Sequence, residues 1–325
     1  MNTTTKKEKK KFVLFKGYSK EEKKNFGFCY LLIAFPVLQL CIFWVAVNFS
    51  SIMLAFQDIN GNFSLENIAG VIKAFSAPSS ATAEPLKNYL LRSFTLWFVA
   101  NVPLMAIGLL STYVLFRRVT GHYVFRLIYS IPSIIGAVVW TAIVREFVSA
   151  DGLPKLFTTM GFDVPIQAQN AGFFGSIQTA FPTLLVIIII QGIGGGDVVI
   201  TGAYTRMPPE LYDAGKIDGV GFFREFFTIV IPCAWPTLAT ILTFKLCGMF
   251  TADGSVYLYT QGTGGFGMNT VGFHLYELVV KLSDSNNFNT LGYPAALGFC
   301  LTCISIPCVL LGRWALNRFV EPVEF

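Results

Sequence analysis

Few residues in this 325-residue chain have types and spacings that could do chemistry. Lys245 and Asp253 interrupt an apolar run. On one continuous helix they would stand about 12 Å apart along the axis and about 80° apart around it. That is too far for a direct ion pair, but both could face one cavity. Ionisable groups inside a membrane segment are candidates for a solute or ion path, so both are candidate substrate-path residues. A lysine can also snorkel to an interface, and Asp253 can stand at an outer mouth instead. Cys300-Leu-Thr-Cys303 is a CxxC pair without a second pair, and His122 and His274 are far off in the sequence. No metal ligand set is expected, and all seven cysteines fall in or beside apolar runs, where they read as small packing residues. Gly215-Lys216 is followed by Ile217 and preceded by Glu210 where a phosphate loop needs its first glycine. "GIGGGD" (192–197) closes an apolar run and follows no soluble strand. There is no HExxH motif and no convincing serine-nucleophile setting, so no catalytic residue is assigned and no cofactor is expected in this chain.

The most detailed polar stretch is "PPELYDAGKIDGVGFF" (208–223). Pro208 and Pro209 suit a first helical turn, where a missing N–H costs nothing. Glu210 and Asp213 are placed in that turn, near the positive end of the helix dipole. Leu211, Ala214 and Ile217 recur at three-residue spacing, a narrow apolar face. Gly215 permits close approach of a partner backbone. Gly219, after Asp218, ends the helix where a positive φ is commonly needed. Phe222, Phe223, Phe226, Phe227 and Val230 then form an amphipathic face, with Arg224, Glu225 and Thr228 on the other side. Pro232 opens the next apolar run. The stretch therefore predicts a helix, a glycine turn and a second helix, a shape suited to docking a partner protein.

The elements that carry this stretch are apolar. Hydrophobic residues make up 54% of the chain, charged ones only 13%, and the mean hydropathy is +0.59. A soluble domain is about a quarter charged. A helix needs about 20 apolar residues to cross the hydrocarbon core, and six candidates run over 28–56, 89–116, 123–145, 172–196, 231–258 and 291–316. Each carries a proline: Pro36, Pro103, Pro132, Pro182, Pro236 and Pro307. These are read either as ordinary kinks or as shaping a cavity. The first run is too long for a cleaved signal peptide and has no small-x-small site at its end, so it is expected to be retained. With the N-terminus inside, 17 Lys and Arg residues fall on the cytoplasmic side and six outside, which predicts both termini inside. Nine of those lysines lie in the first 24 residues. Beside a membrane span they read as a cytoplasmic anchor rather than a nucleic-acid site.

The spacing Asp213-Ala214-Gly215, Gly219, Ile229-x-Ile231-Pro232 resembles the E-A-A-x3-G-x9-I-x-L-P loop of ABC importer permeases, and "PPELYDAGKIDG" resembles their carbohydrate-uptake class. It departs by Asp at 213, Gly at 215, Val at 220 and Ile at 231. "VYLYTQGTGGFGMNTVGFHLY" (256–276) and "LGYPAALGFCLT" (291–302) are similar to later segments of the same family, the first lacking its proline after the glycines. The likeness is weak over residues 1–88.

The resemblance implies an all-α integral membrane protein: six transmembrane helices and a cytoplasmic helix-turn-helix coupling loop, the type I ABC importer permease fold. It implies a basic cytoplasmic segment over 1–27, a first transmembrane helix and outer loop over 28–88, a core permease domain over 89–318 with the coupling loop at about 206–230, and a cytoplasmic tail over 319–325. Glu210, Leu211, Asp213, Ala214, Gly215, Ile217, Asp218, Gly219, Ile229 and Pro232 would couple to the ATPase. The implied partners are a second homologous permease, two ATPase subunits on the cytoplasmic face that bind ATP and Mg, an extracytoplasmic solute-binding protein and a sugar or oligosaccharide. The implied location is the bacterial cytoplasmic membrane. Two alternatives stand beside this reading: an ABC permease for another solute, and an ion-coupled secondary transporter using Lys245 and Asp253.

Overall fold

A computed structural model describes residues 20–76, 84–117, 119–193, 197–251, 256–261, 267–283 and 288–319. The lysines before residue 19, Asp253, the glycine-rich part of 256–276 and the tail from residue 320 lie outside the described residues. By internal contacts the chain divides into Met1–Met53 and Leu54–Phe325. Regular structure among the described residues is helical, apart from one antiparallel bridge between Gln57 and Phe63.

In the first unit, α1 (Lys20–Gln39) runs through a π-helical turn (Leu40–Val45) into α2 (Ala46–Ala55). The apolar stretch Phe28–Ala55 buries none of its most apolar window inside the chain. A helix apolar on every side suits hydrocarbon or a partner helix as its solvent.

The second unit begins with α3 (Glu66–Ser76). Helices α4 (Leu86–Asn101) and α5 (Pro103–Phe116) form one apolar stretch, Leu86–Phe116, with Pro103 at the joint. Next come α6 (His122–Ile134), α7 (Ala137–Val148), α8 (Leu153–Thr159), α9 (Ile166–Ala171), α10 (Ile177–Gly192), α11 (Asp197–Thr205) and α12 (Pro209–Ile217). Helix α13 (Phe222–Glu225) passes through a π turn (Phe226–Val230) into α14 (Ile231–Cys247), and α15 (Val256–Thr260), α16 (Val271–Ser283) and α17 (Gly292–Phe319) complete the order.

Among the described residues, four helices are long and apolar enough to cross a membrane: Phe28–Ala55, Leu86–Phe116, Phe222–Cys247 and Gly292–Arg318. A fifth is counted if His122–Pro132 and Ala137–Thr159, bent by 88°, make one span. The protein is thus a multi-pass, all-helical membrane protein. The six-run expectation differs from this in three places, the first being that bend, which breaks the run 123–145. The run 172–196 becomes a 3₁₀ turn at Phe173–Gly175 followed by a 16-residue helix, Ile177–Gly192. Gly172, at φ 79°, separates that turn from α9, and 16 residues rise only about 24 Å. The run 231–258 instead occupies Phe222–Cys247. The Phe-rich segment joins the span through the π turn rather than lying apart as a surface helix, and Pro232, which lacks the N–H that would bond one turn back, falls just past that turn.

Three apolar clusters hold the second unit together. One joins α4, α7, α10, α15 and α16 around Leu184 and Phe273. One joins α3, α4, α16 and α17 around Leu297. The third joins α5, α11 and the start of the Phe222–Cys247 helix around Tyr113, Tyr204 and Val230. This last cluster is the root on which α12 stands.

Candidate functional site

Helix α12 owes its limits to local chemistry. Pro208 is the N-cap and Pro209 the first helical residue, so neither missing donor is needed. Glu210 lies in the first turn, beside the positive end of the dipole. Asp213 falls in the second turn, not the first. There it accepts an ion pair from Lys216 at 2.9 Å, with both side chains mostly exposed, a contact worth at most a few tenths of a kcal/mol. The helix ends in a complete Schellman motif. The Val220 N–H donates to Gly215 O at 2.9 Å and the Gly219 N–H to Lys216 O at 3.2 Å, with Gly219 at φ 67°. A Cβ added at Gly219 would meet nothing within 4 Å, so the demand for glycine here is conformational. Asp218 is the C-cap and is exposed.

The two faces of α12 differ sharply. Gly215 is buried, and a Cβ there would come to 3.0 Å from Ile229 Cδ1. The glycine therefore admits a side chain from the chain's own following helix, where a partner backbone was expected. Leu211 is half-buried and Ala214 exposed, whereas Ile217 at the tip is 86% exposed. The predicted apolar face is thus split between inner packing and an uncovered tip.

Below α12 lies an aromatic nest. Tyr113 of α5 meets the rings of Tyr204, Phe222 and Phe226 at centroid distances of 6.1, 5.0 and 5.2 Å. Phe116 meets Tyr204 and Tyr212 at 5.9 and 6.2 Å. Such pairs add about 0.5–1.5 kcal/mol each beyond area burial. The Tyr204 hydroxyl donates to Leu109 O at 3.0 Å. Burial pushes the Tyr212 hydroxyl up to about 12, with Glu225 adding to the rise, so it is a neutral packing group at physiological pH. A cleft of about 460 Å³ opens between α12 and this nest, with Arg117, Asp213 and Lys216 at its rim.

Glu225 overturns a sequence expectation. It was placed on the polar side of its helix, but it is 3% exposed. Its Oε1 lies 3.3 Å from Arg117 Nη1, at the end of α5. A buried carboxylate is tolerated only when paired. Removing one partner of a buried pair costs about 3–5 kcal/mol, and partial solvation of Arg117 at 32% exposure brings this pair toward the low end. One signal was available in the sequence: at 100° per residue, Glu225 projects beside Phe222 and Ile229.

Lys245 lies in the last turn of α14, where a cation suits the negative end of the dipole. It is half-buried, and its carbonyl accepts a hydrogen bond from Trp97 Nε1 at 2.7 Å. The helix stops at Cys247 and turns at Gly248. The continuous-helix geometry assumed for Lys245 and Asp253 therefore does not hold, and Asp253 itself is outside the described residues.

No protein-family model matches the chain. It is similar to the arabinooligosaccharides transport system permease protein AraP of Bacillus subtilis, at 26% identity over 287 residues, covering 87% of this chain and 86% of AraP. It is also similar to the diacetylchitobiose uptake system permease protein NgcF of Streptomyces coelicolor, at 25% identity over 197 residues, covering 58% of this chain and 52% of NgcF. Its relatives are transport permeases for sugars and oligosaccharides, and they support reading the chain as a carbohydrate-uptake ABC permease. The chain also shares its fold with the crystal structure of a bacterial ABC transporter involved in the import of the acidic polysaccharide alginate. That likeness has a TM-score of 0.74 at 16% identity and covers 93% of this chain and 99% of the other.

Proposed function

We propose that this permease pairs with a second homologous permease, imports a sugar or oligosaccharide handed over by an extracytoplasmic binding protein, and is driven by two cytoplasmic ATPase subunits that dock on α12. One observation carries the coupling role: α12 is rooted in a buried aromatic nest, capped by a Schellman turn, and leaves Ile217 at its tip 86% exposed. A short helix fixed at its base and bare at its tip suits insertion into a cleft of a moving partner. Glu210, Leu211, Asp213, Ala214, Ile217, Asp218 and Gly219 form or shape the docked surface, while Gly215, Ile229 and Pro232 set its angle to the span behind it.

In this reading Ile177–Gly192 is a short fourth span, the bent His122–Thr159 pair is the third, and the chain crosses a bacterial cytoplasmic membrane six times with both termini inside. The Lys and Arg distribution supports that orientation. The names of the relatives, which transport arabinooligosaccharides and diacetylchitobiose, support an oligosaccharide. Catalysis of ATP hydrolysis belongs to the partner subunits, with their ATP and Mg. Lys245 lines the path at the end of its span opposite α12.

The test is Gly219→Asp beside Gly219→Asn. A left-handed backbone costs most side chains about 1 kcal/mol or more but is tolerated by asparagine and aspartate, so the two variants differ in charge, aspartate adding one next to Asp218. The expected result is normal membrane levels for both, co-purification of the ATPase and uptake of a labelled panel of arabinan-, chitin- and alginate-derived oligosaccharides with asparagine, and loss of both with aspartate. Full uptake with aspartate overturns the coupling role of this segment. Failure of wild type to import any sugar in the panel overturns the oligosaccharide reading.

A further inference from the structure

The coupling segment meets the rest of the permease at two kinds of contact. One is the aromatic nest, which is greasy and non-directional. The other is Glu225, the single buried charged side chain among the described residues. Its only described cation is Arg117, at the last turn of the Leu86–Phe116 span. The fully buried Tyr113 hydroxyl interacts with the same carboxylate, by hydrogen bonding and by charge, while the ion pair to Arg117 is long, at 3.3 Å. Three polar groups therefore meet at one joint, and its ion pair is longer than the about 2.7–2.9 Å usual for a charge-assisted contact. A long pair at a buried carboxylate needs an explanation in a native fold. A joint that is loose in one conformation and closed in another supplies one, because packed cores shift between discrete arrangements rather than deform continuously.

We propose that Arg117 and Glu225 form a latch that passes the movement of the coupling segment to the Leu86–Phe116 span, and that they are positioning residues for transport rather than part of the ATPase-docking surface. The inference rests on the coupling reading above. Its geometry is specific. Glu225 lies at the base of the helix that follows the Gly219 turn, so a rotation of α12 about that turn moves the carboxylate. Arg117 ends a span whose other half, α4, packs against α10 and α16. Tension on the pair therefore reaches the apolar cluster around Leu184 and Phe273. Neither residue is at the exposed tip: Glu225 is buried and Ile217 is not. Loss of the pair should therefore spare docking and impair transmission. A surface ion pair such as Asp213–Lys216 has no such lever, since both partners are solvated.

The experiment uses the reconstituted permease pair with its ATPase subunits and needs no sugar. In a cysteine-free background, Thr302→Cys places a thiol in the cleft of about 500 Å³ between the end of α14, α16 and α17. Its reactivity with an impermeant reagent is measured before and after trapping with ATP and vanadate. In the parent a clear change is expected. With Glu225→Gln, which keeps size and removes charge, and with Arg117→Met, the ATPase should still co-purify and hydrolyse ATP, while the trapping-dependent change shrinks roughly fivefold or more, the range of coupling between sites. The exchange Arg117→Glu with Glu225→Arg should recover part of it. An unchanged response in both single variants overturns the latch. So does loss of the ATPase, or of the permease from the membrane, in both, since the pair would then serve docking or folding. A double exchange no better than the singles overturns it as well. If the parent itself retains no ATPase, the coupling reading fails and the latch with it.

Discussion

At the residue scale, Gly219 and Lys245 represent two kinds of determinant. Gly219 has empty space around it, so only its φ of 67° makes a substitution costly. Lys245 is the reverse: its backbone is ordinary helix and its significance lies in a half-buried cation near the end of a span. Helix-dipole stabilisation of a lysine in a last turn is worth about 0.3–1 kcal/mol, so Lys245→Ala should leave assembly intact. If the ammonium contacts solute, the variant should raise the apparent KM for the imported oligosaccharide by roughly fivefold with little change in maximal rate, the pattern of lost uniform binding. Initial-rate uptake at matched membrane levels measures this. Unchanged kinetics would reduce Lys245 to an anchoring role.

At the element scale, the fit between α12 and the following helix turns on Gly215. A Cβ there approaches the terminal methyl of Ile229 at 3.0 Å, and that methyl can rotate. Alanine also gains about 0.8–1 kcal/mol of helix propensity over glycine. Gly215→Ala is therefore expected to retain ATPase binding and leave thermal stability equal or slightly higher. Gly215→Leu must displace Ile229 or the helix itself, an overpacking cost of about 1–3 kcal/mol. It should tilt α12 and weaken co-purification of the ATPase. Thermal unfolding of the solubilised permease together with a pull-down of the ATPase separates the two variants, and equal behaviour would show that α12 does not lean on Ile229.

At the scale of the whole molecule, orientation decides whether α12 can meet the proposed cytoplasmic ATPase. In a cysteine-free background, Thr4→Cys and Lys216→Cys should resist an impermeant thiol reagent in intact cells. Lys155→Cys, on the exposed α8, should react. Labelling at Lys216 from outside would invert the orientation and remove α12 from any cytoplasmic partner.

What the sequence determined by itself is what local chemistry controls. Long apolar runs imply membrane helices because an unsatisfied backbone in hydrocarbon costs several kcal/mol per group. Two prolines and a glycine bracket α12 because the missing donors and the left-handed cap act within a single turn. The spacing from Asp213 to Pro232 resembles a permease loop, and the coupling role given to it remains a proposal. Tertiary structure decided the rest. Glu225 looked solvent-facing because its partner, Arg117, ends a helix distant in sequence, and only packing of α5 against α11 and the aromatic nest brings them together. Gly215 looked like a gap for another protein, but the space is taken by Ile229. The fifth apolar run has other bounds in the structure because hydropathy does not mark where a π turn extends a helix at one end or where Gly248 ends it at the other. Where a helix stops, and which face of it is covered, depends on neighbours that no window of adjacent residues contains.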